Sequence, residues 1–213
     1  MLKLAVLVSG GGTNLQAILD KCADGYLKNC EISLVVSSKI GVYALKRAED
    51  NGIKNICIER KTYGSVEEFS AAILCELEKL NIELLVLAGF TTMLGHCLVE
   101  RYQNKIINVH PSLIPSFCGK GFYGLKPHEA AIEYGVKLTG ATVHFINMEY
   151  DSGPIILQKA VAVQDNDTPK TLQKRVMEEA EWLILPEAIK LISEGRVSVD
   201  GRRVKIKRSC YND

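Results

Sequence analysis

Short, almost uninterrupted apolar runs alternate with helix-period segments through the first half of the chain, and this alternation restricts the fold more than any other feature. Residues 2–8, 31–36, 56–58, 84–88 and 106–109 are apolar runs of strand length. Between them Leu15, Ile18, Leu19 and Cys22 recur at helical spacing, and residues 42–51 form a second helical candidate. Ser65, three residues ahead of Glu68, carries a capping-box signature and opens a third helix that runs to about Leu80. Strands without an alternating polar face, separated by helices, are buried on both sides. The pattern therefore predicts an α/β fold: a Rossmann-like, mostly parallel twisted sheet with helices on both faces. In the second half, residues 136–146 and 155–163 read as two more strands, joined by a loop containing Asp151-Ser152-Gly153-Pro154. Thr168 and Pro169 suit the N-cap and first position of a long helix ending near Glu194. Asp200-Gly201, between Val199 and Val204, marks a hairpin. No repeat, linker or low-complexity stretch interrupts the 213 residues, so a single domain over 1–213 is expected.

Composition narrows the class. Lys plus Arg is 26 and Asp plus Glu is 25, a net charge of +1, which argues against a dedicated nucleic-acid binder and leaves small anionic substrates open. The seven cysteines are odd in number, irregularly spaced and without a Cys-x-x-Cys pair. They read as reduced thiols of a cytoplasmic protein and give neither a disulfide framework nor a zinc site. The apolar N-terminal run is too short for a signal peptide, and no run approaches the roughly 20 residues of a membrane span. Neither a membrane nor a metal is expected, and the oligomeric state, monomer or dimer, is left open.

Three segments carry residues suited to chemistry. The first is Ser9-Gly10-Gly11-Gly12-Thr13-Asn14, between a strand and a helix. Its glycines allow close backbone approach, and the helix N-terminus behind them favours an anion. A dinucleotide fingerprint needs a third glycine where Leu15 stands, and a Walker A loop needs Gly-Lys-Ser/Thr, which is absent. A small phosphate monoester fits; the alternative is a tight turn with no ligand. The second is Asn108-Val109-His110-Pro111-Ser112-Leu113. Asn108 and His110 are two apart at a strand end and so share a face. An amide beside an imidazole can stabilise an oxyanion and handle a proton, although a structural histidine fits the segment equally well. The third is Asp151, which can orient an imidazole and favour its charged form, or simply cap its own turn.

Other features read as structural. Arg202, Arg203, Lys205, Lys207 and Arg208 form a basic tail, read as a solvated hairpin, with contact to RNA or phosphate as the alternative. His128 follows Pro127 and marks a helix start. Cys118 lies in a glycine-rich loop with the form of a lid and has no evident reactive partner.

Together these segments resemble the folate-dependent formyltransferase family, over residues 4 to about 195. The strongest match is Ile107-Asn108-Val109-His110-Pro111-Ser112-Leu113-Ile114-Pro115, joined by Leu87-Ala88-Gly89-Phe90 and Asp151-Ser152-Gly153-Pro154-Ile155. The glycine loop through Leu15, with the short chain, is similar to the purine-synthesis branch, which acts on phosphoribosylglycinamide. The resemblance implies a formyltransferase fold whose N-terminal half binds phosphate and whose C-terminal half completes the folate site. It implies 10-formyltetrahydrofolate as formyl-donating cosubstrate and small-molecule partners only. Gly12, Thr13 and Asn14 match the phosphate segment, and Glu181, five residues before Pro186, matches a glutamate on the glycinamide substrate. Thr91, Thr92, Met93 and Leu94, with Asn108, match the folate side, and Asn108, His110 and Asp151 match the catalytic trio. Thr92 stands where the family often has arginine, and the loop 116–124 is longer than the Pro-Gly turn of many members.

The implied chemistry is attack of the substrate amine on a formyl carbon. Asn108 is expected to hydrogen-bond the resulting oxyanion, protonated His110 to stabilise it and act as general acid, and Asp151 to hold His110 charged. Rival readings are a methionyl-tRNA formyltransferase, expected to carry a further C-terminal domain, and a formyltetrahydrofolate hydrolase, expected to carry an extra N-terminal one. A sugar-nucleotide formyltransferase and a non-catalytic phosphate- or nucleotide-binding module complete the set. The binding module has no need of His110 and Asp151 in convergence, so their separation discriminates.

Overall fold

The computed structural model describes residues 1–207. Its main sheet has seven strands: β1 (Leu2–Val8), β2 (Cys30–Ser37), β3 (Asn55–Cys57), β4 (Leu84–Leu87), β5 (Ile106–His110), β6 (Leu138–Phe145) and β7 (Ile155–Ala162). The spatial order is β3-β2-β1-β4-β5-β6-β7. The first five pair in parallel, whereas β6 is antiparallel to both β5 and β7. The sheet is thus α/β and mostly parallel, with antiparallel pairing only at the β6–β7 edge.

The continuous apolar runs have a direct cause. Leu4, Val6 and Val8 of β1 enter one core, shared with Leu15, Ile18 and Ile189. Ala5 and Leu7, between them, enter a second core with Phe69, Ile73 and Leu98. Alternate side chains of one strand serve opposite faces, and both faces are covered by helices. One face carries α1 (Thr13–Ala23), α2 (Tyr43–Asp50) and α7 (Trp182–Ser193), and the other carries α3 (Val66–Lys79) and α4 (His96–Arg101).

Chain order places the crevice. From β1 the sheet grows outward through β2 and β3, and then returns to the other side of β1 with β4. The carboxyl ends of β1 and β4 therefore flank a topological switch point, where open α/β sheets bind ligands. There Ser9 Oγ lies 2.8 Å from Ser38 Oγ and accepts the Thr91 N–H at 3.1 Å, tying the loop after β1 to the one after β4.

Several local readings need adjustment. Ser65 Oγ accepts the Glu68 N–H at 3.1 Å, but the Glu68 carboxylate accepts from Gly64, not Ser65, so the capping box is open by one residue. Helix α4 has no cap of its own. The Glu67 carboxylate accepts the His96 and Cys97 N–H groups at 2.7 and 3.3 Å from α3, a tertiary cap that local sequence does not announce. α5 (Lys126–Tyr134) has Pro127 in its first turn, with His128 buried beside it. The long helix after Thr168 has the expected N-cap, which Thr171 extends into a capping box. It runs as α6 (Pro169–Val176), a π-helical turn over Met177–Glu181, and α7. The wider turn places Ala180 in the core and Glu181 at the crevice, both buried. β8 (Val197–Asp200) and β9 (Arg203–Ile206) form the hairpin, with Gly201 at φ 59° in its turn.

Candidate active site

A cleft of about 320 Å³ opens at the switch point. Thr13, Asn14, Thr91, Thr92, Met93, Leu94, Asn108, His110, Asp151 and Glu181 all line it. Gly12 does not. Its φ is 74°, and a Cβ there would lie 2.7 Å from Ala44 Cβ, so its backbone is wedged against α2 just behind the cleft. Among the described residues, no Lys or Arg lines the cleft. Arg202, Arg203, Lys205 and Lys207 lie elsewhere, and Arg208 falls outside the described residues.

At one end stands a cluster of four side chains. β5 ends with Asn108 and His110, and β6 contributes His144 beside them. Asp151 follows in the β6–β7 loop with φ 47°, a left-handed conformation uncommon outside glycine. Gly153 has no alternative there, since a Cβ would fall 1.8 Å from the Phe145 carbonyl oxygen. Asp151 Oδ2 lies 3.6 Å from His110 Nδ1, and Asp151 Oδ1 lies 3.7 Å from His144 Nε2. The side chain of His110 is 5% exposed and that of Asp151 14%, so this pair is shielded from water.

Hydrogen bonds define the protonation of each ring. His110 Nε2 is 3.0 Å from the Phe117 carbonyl, which only accepts, so Nε2 carries a proton. Its Nδ1 faces the Asp151 carboxylate, which can orient the ring. His144 is the opposite case. Its Nδ1 donates to the Phe145 carbonyl at 2.9 Å, leaving Nε2 to accept from Asn108 Nδ2 at 3.3 Å. Complete burial pushes the His144 pKa down, outweighing the Phe145 carbonyl and Asp151, and keeps the ring neutral. Asn108 retains a second amide hydrogen for a ligand. His144 carries no motif in the sequence and reads there as one more buried strand position.

The loop 116–124 braces this cluster. Phe117, at φ 50°, turns its carbonyl onto His110, and the Gly119 N–H donates to Asp151 Oδ2 at 2.8 Å. Cys118 lies between them, donates to the Pro115 carbonyl at 3.3 Å and does not line the cleft. Burial and then Asp151 push its thiol pKa up, which disfavours a nucleophilic thiolate.

The other end joins residues 167 apart along the chain. Asn14 Nδ2 donates to Glu181 Oε2 at 2.6 Å, and Asn14 Oδ1 is buried without a hydrogen-bond partner among the described residues. Burial pushes the Glu181 carboxyl up to about 7, against the opposing effect of the Asn14 hydrogen bond. Between the two ends, Phe90 stacks parallel to Phe69 at 6.4 Å and anchors the segment 91–94 on α3.

The glycine loop, the Asn108 amide and the His110–Asp151 pair meet on one open α/β sheet, an arrangement suited to group transfer. The chain belongs to the formyl transferase family, whose model matches residues 2–189. Within that family its similarity lies with the phosphoribosylglycinamide formyltransferases. That of Haemophilus influenzae is 39% identical over 92% of this chain and 90% of its own length. The crystal structure of glycinamide ribonucleotide transformylase 1 from Symbiobacterium toebii superimposes with a TM-score of 0.91 at 41% identity, covering 97% of this chain and 94% of that one. The trifunctional purine biosynthetic protein adenosine-3 of Gallus gallus is 45% identical over 92% of this chain, which spans 19% of that larger protein. Among the described residues, no helix is long and apolar enough to cross a membrane.

Proposed function

We propose that this chain transfers the formyl group of 10-formyltetrahydrofolate to the amine of phosphoribosylglycinamide, a step of purine biosynthesis, giving formylglycinamide ribonucleotide and tetrahydrofolate. The observation that carries the reading is the convergence of Asn108, His110 and Asp151 at one end of a cleft whose other end is the glycine loop and the Asn14–Glu181 pair. Gly12, Thr13 and Asn14 hold the phosphate through backbone amides and the N-terminus of α1. Glu181 accepts from the substrate alongside Asn14. Thr91, Thr92, Met93 and Leu94, with Asn108, receive the folate. The half-exposed Met93 and Met148 offer a deformable apolar wall suited to a flat ring system.

The amine nitrogen adds to the formyl carbon, and the C=O π electrons move onto the formyl oxygen to give a tetrahedral oxyanion. Collapse of this intermediate restores the carbonyl and breaks the bond from that carbon to the carrier nitrogen. The free Asn108 amide hydrogen and the His110 imidazolium stabilise the oxyanion, in a site where both are largely shielded from water. Asp151 keeps His110 charged, and the proton lost by the amine passes to the departing carrier nitrogen by way of this pair or a bridging water. A non-catalytic phosphate-binding module gives no reason for His110 and Asp151 to stand 3.6 Å apart out of solvent. The free thiols of Cys22, Cys30, Cys57, Cys75, Cys97 and Cys118 suit a cytoplasmic enzyme.

The test is an absorbance assay of the purified protein with formyl donor and phosphoribosylglycinamide, run beside His110→Ala. Turnover that needs the amine and is lost in the variant supports the reading. Full turnover by His110→Ala refutes the role given to the imidazole.

A further inference from the structure

Helix α2 shapes the glycine loop from behind, through contacts that no sequence motif marks. The Gly10 carbonyl accepts the Ala44 N–H at 3.3 Å. The Gly11 carbonyl accepts Arg47 Nε at 2.9 Å, and Arg47 Nη1 donates onward to Gln16 Oε1 of α1 at 2.7 Å. Gly12 is packed on Ala44 with no room for a Cβ. In a trans peptide the carbonyl and the following N–H point in opposite directions. Because the Gly10 and Gly11 carbonyls are turned onto α2, the N–H groups of Gly11 and Gly12 are turned away from it, toward the open side of the loop.

Two further observations point to a ligand there. Asn14, nine-tenths buried and lining the cleft, has its Oδ1 without a hydrogen-bond partner among the described residues. The described cleft lining holds three carboxylates, Glu149, Asp151 and Glu181, and no Lys or Arg. A dianionic phosphate at the loop thus has the Arg47 guanidinium behind it, bonded to the Gly11 carbonyl. This side chain lines a separate groove of about 340 Å³ that shares only Thr13 with the cleft.

We propose that Arg47 is a positioning residue for the substrate phosphate. It holds the Gly11 carbonyl away from the ligand, so that the loop presents amide hydrogens, and its charge lies behind the loop without entering the cleft. The inference rests on the reading of the glycine loop as the phosphate site and adds a determinant outside the loop motif. A neutral side chain at 47 frees the Gly11 carbonyl to rotate toward the anion, where it repels.

The experiment compares Arg47→Gln and Arg47→Lys with the parent, using phosphoribosylglycinamide and its dephosphorylated riboside as acceptors. Losing a charged hydrogen bond raises KM for the phosphorylated acceptor by roughly tenfold or more in Arg47→Gln. kcat, KM for the formyl donor and kcat/KM for the riboside stay within about threefold. Arg47→Lys restores only part of the loss, because an ammonium lacks the fork that spans Gly11 and Gln16. An unchanged KM for the phosphorylated acceptor in Arg47→Gln, or an equal fall for both acceptors, overturns the proposal. Should the parent turn over no such amine, the proposed reaction fails on its own. Inorganic phosphate binding by calorimetry then decides about Arg47: weaker binding in Arg47→Gln upholds its role, and equal binding refutes it.

Discussion

At the glycine-loop end of the cleft, the groups offered to a ligand are backbone amides beside an Asn14–Glu181 contact of 2.6 Å. At the other end they are the side chains of Asn108, His110, His144 and Asp151, spaced between 3.3 and 3.7 Å. The first end is set by close packing, with Gly12 against Ala44 and both neighbouring carbonyls tied to α2. The second is braced by a loop whose Phe117 adopts a left-handed backbone, as does Asp151 itself. The proposed reaction gives the two ends different work: in it the packed end governs binding of the phosphorylated acceptor, and the Asn108–His110–Asp151 end governs the chemical step. Mutations should therefore separate into those that move KM and those that move kcat.

The largest effect expected is at His110. His110→Ala lowers kcat by about a thousandfold or more while KM for the acceptor changes little, as stopped-assay kinetics can show. A main effect on KM would break the division. Asn108→Ala lowers kcat by about a hundred- to a thousandfold through the lost oxyanion donor, with acceptor KM again nearly constant. Gly12→Ala acts at the other end. The left-handed φ and the contact with Ala44 cost about 1–3 kcal/mol of stability, visible as a lower Tm, and acceptor KM rises with little change in kcat. The smallest effect concerns Glu181. Its folded pKa of about 7 lies above its ordinary 4.5, so the fold favours the protonated form. The stability it lends is present below pH 4.5 and is lost as pH rises through about 7. Glu181→Gln, which can still accept from Asn14, removes that loss. Its Tm relative to the parent should rise across the same window, and a flat difference would show that burial does not perturb this carboxyl.

The two ends also differ in how far the sequence discloses them. β1 is bounded as its apolar run suggests, and the glycine loop is local, so strand, loop and helix N-terminus follow from adjacent residues. Asn108 and His110 are equally local, sharing a face at the end of β5. Asp151 alone could not be told from a turn cap, because its partner lies on another strand. His144 is silent in the sequence, since a buried histidine in a strand has the same pattern whether or not it meets Asn108. Arg47 reads as an ordinary helix cation, and its bond to Gly11 spans 36 residues. Glu181 takes its place from a π-helical turn that interrupts the helical period, and α4 takes its cap from Glu67 of α3. What escapes the sequence is in each case a contact between elements distant along the chain.

The measurement that bears most directly on the joint action of the two ends is the fate of the formyl group with and without the phosphorylated amine. With isotopically labelled formyl donor, label should appear on phosphoribosylglycinamide in a one-to-one ratio with the tetrahydrofolate produced, and donor turnover should stop when the amine is omitted. Release of labelled formate at an undiminished rate without the amine would contradict the account and make the chain a hydrolase.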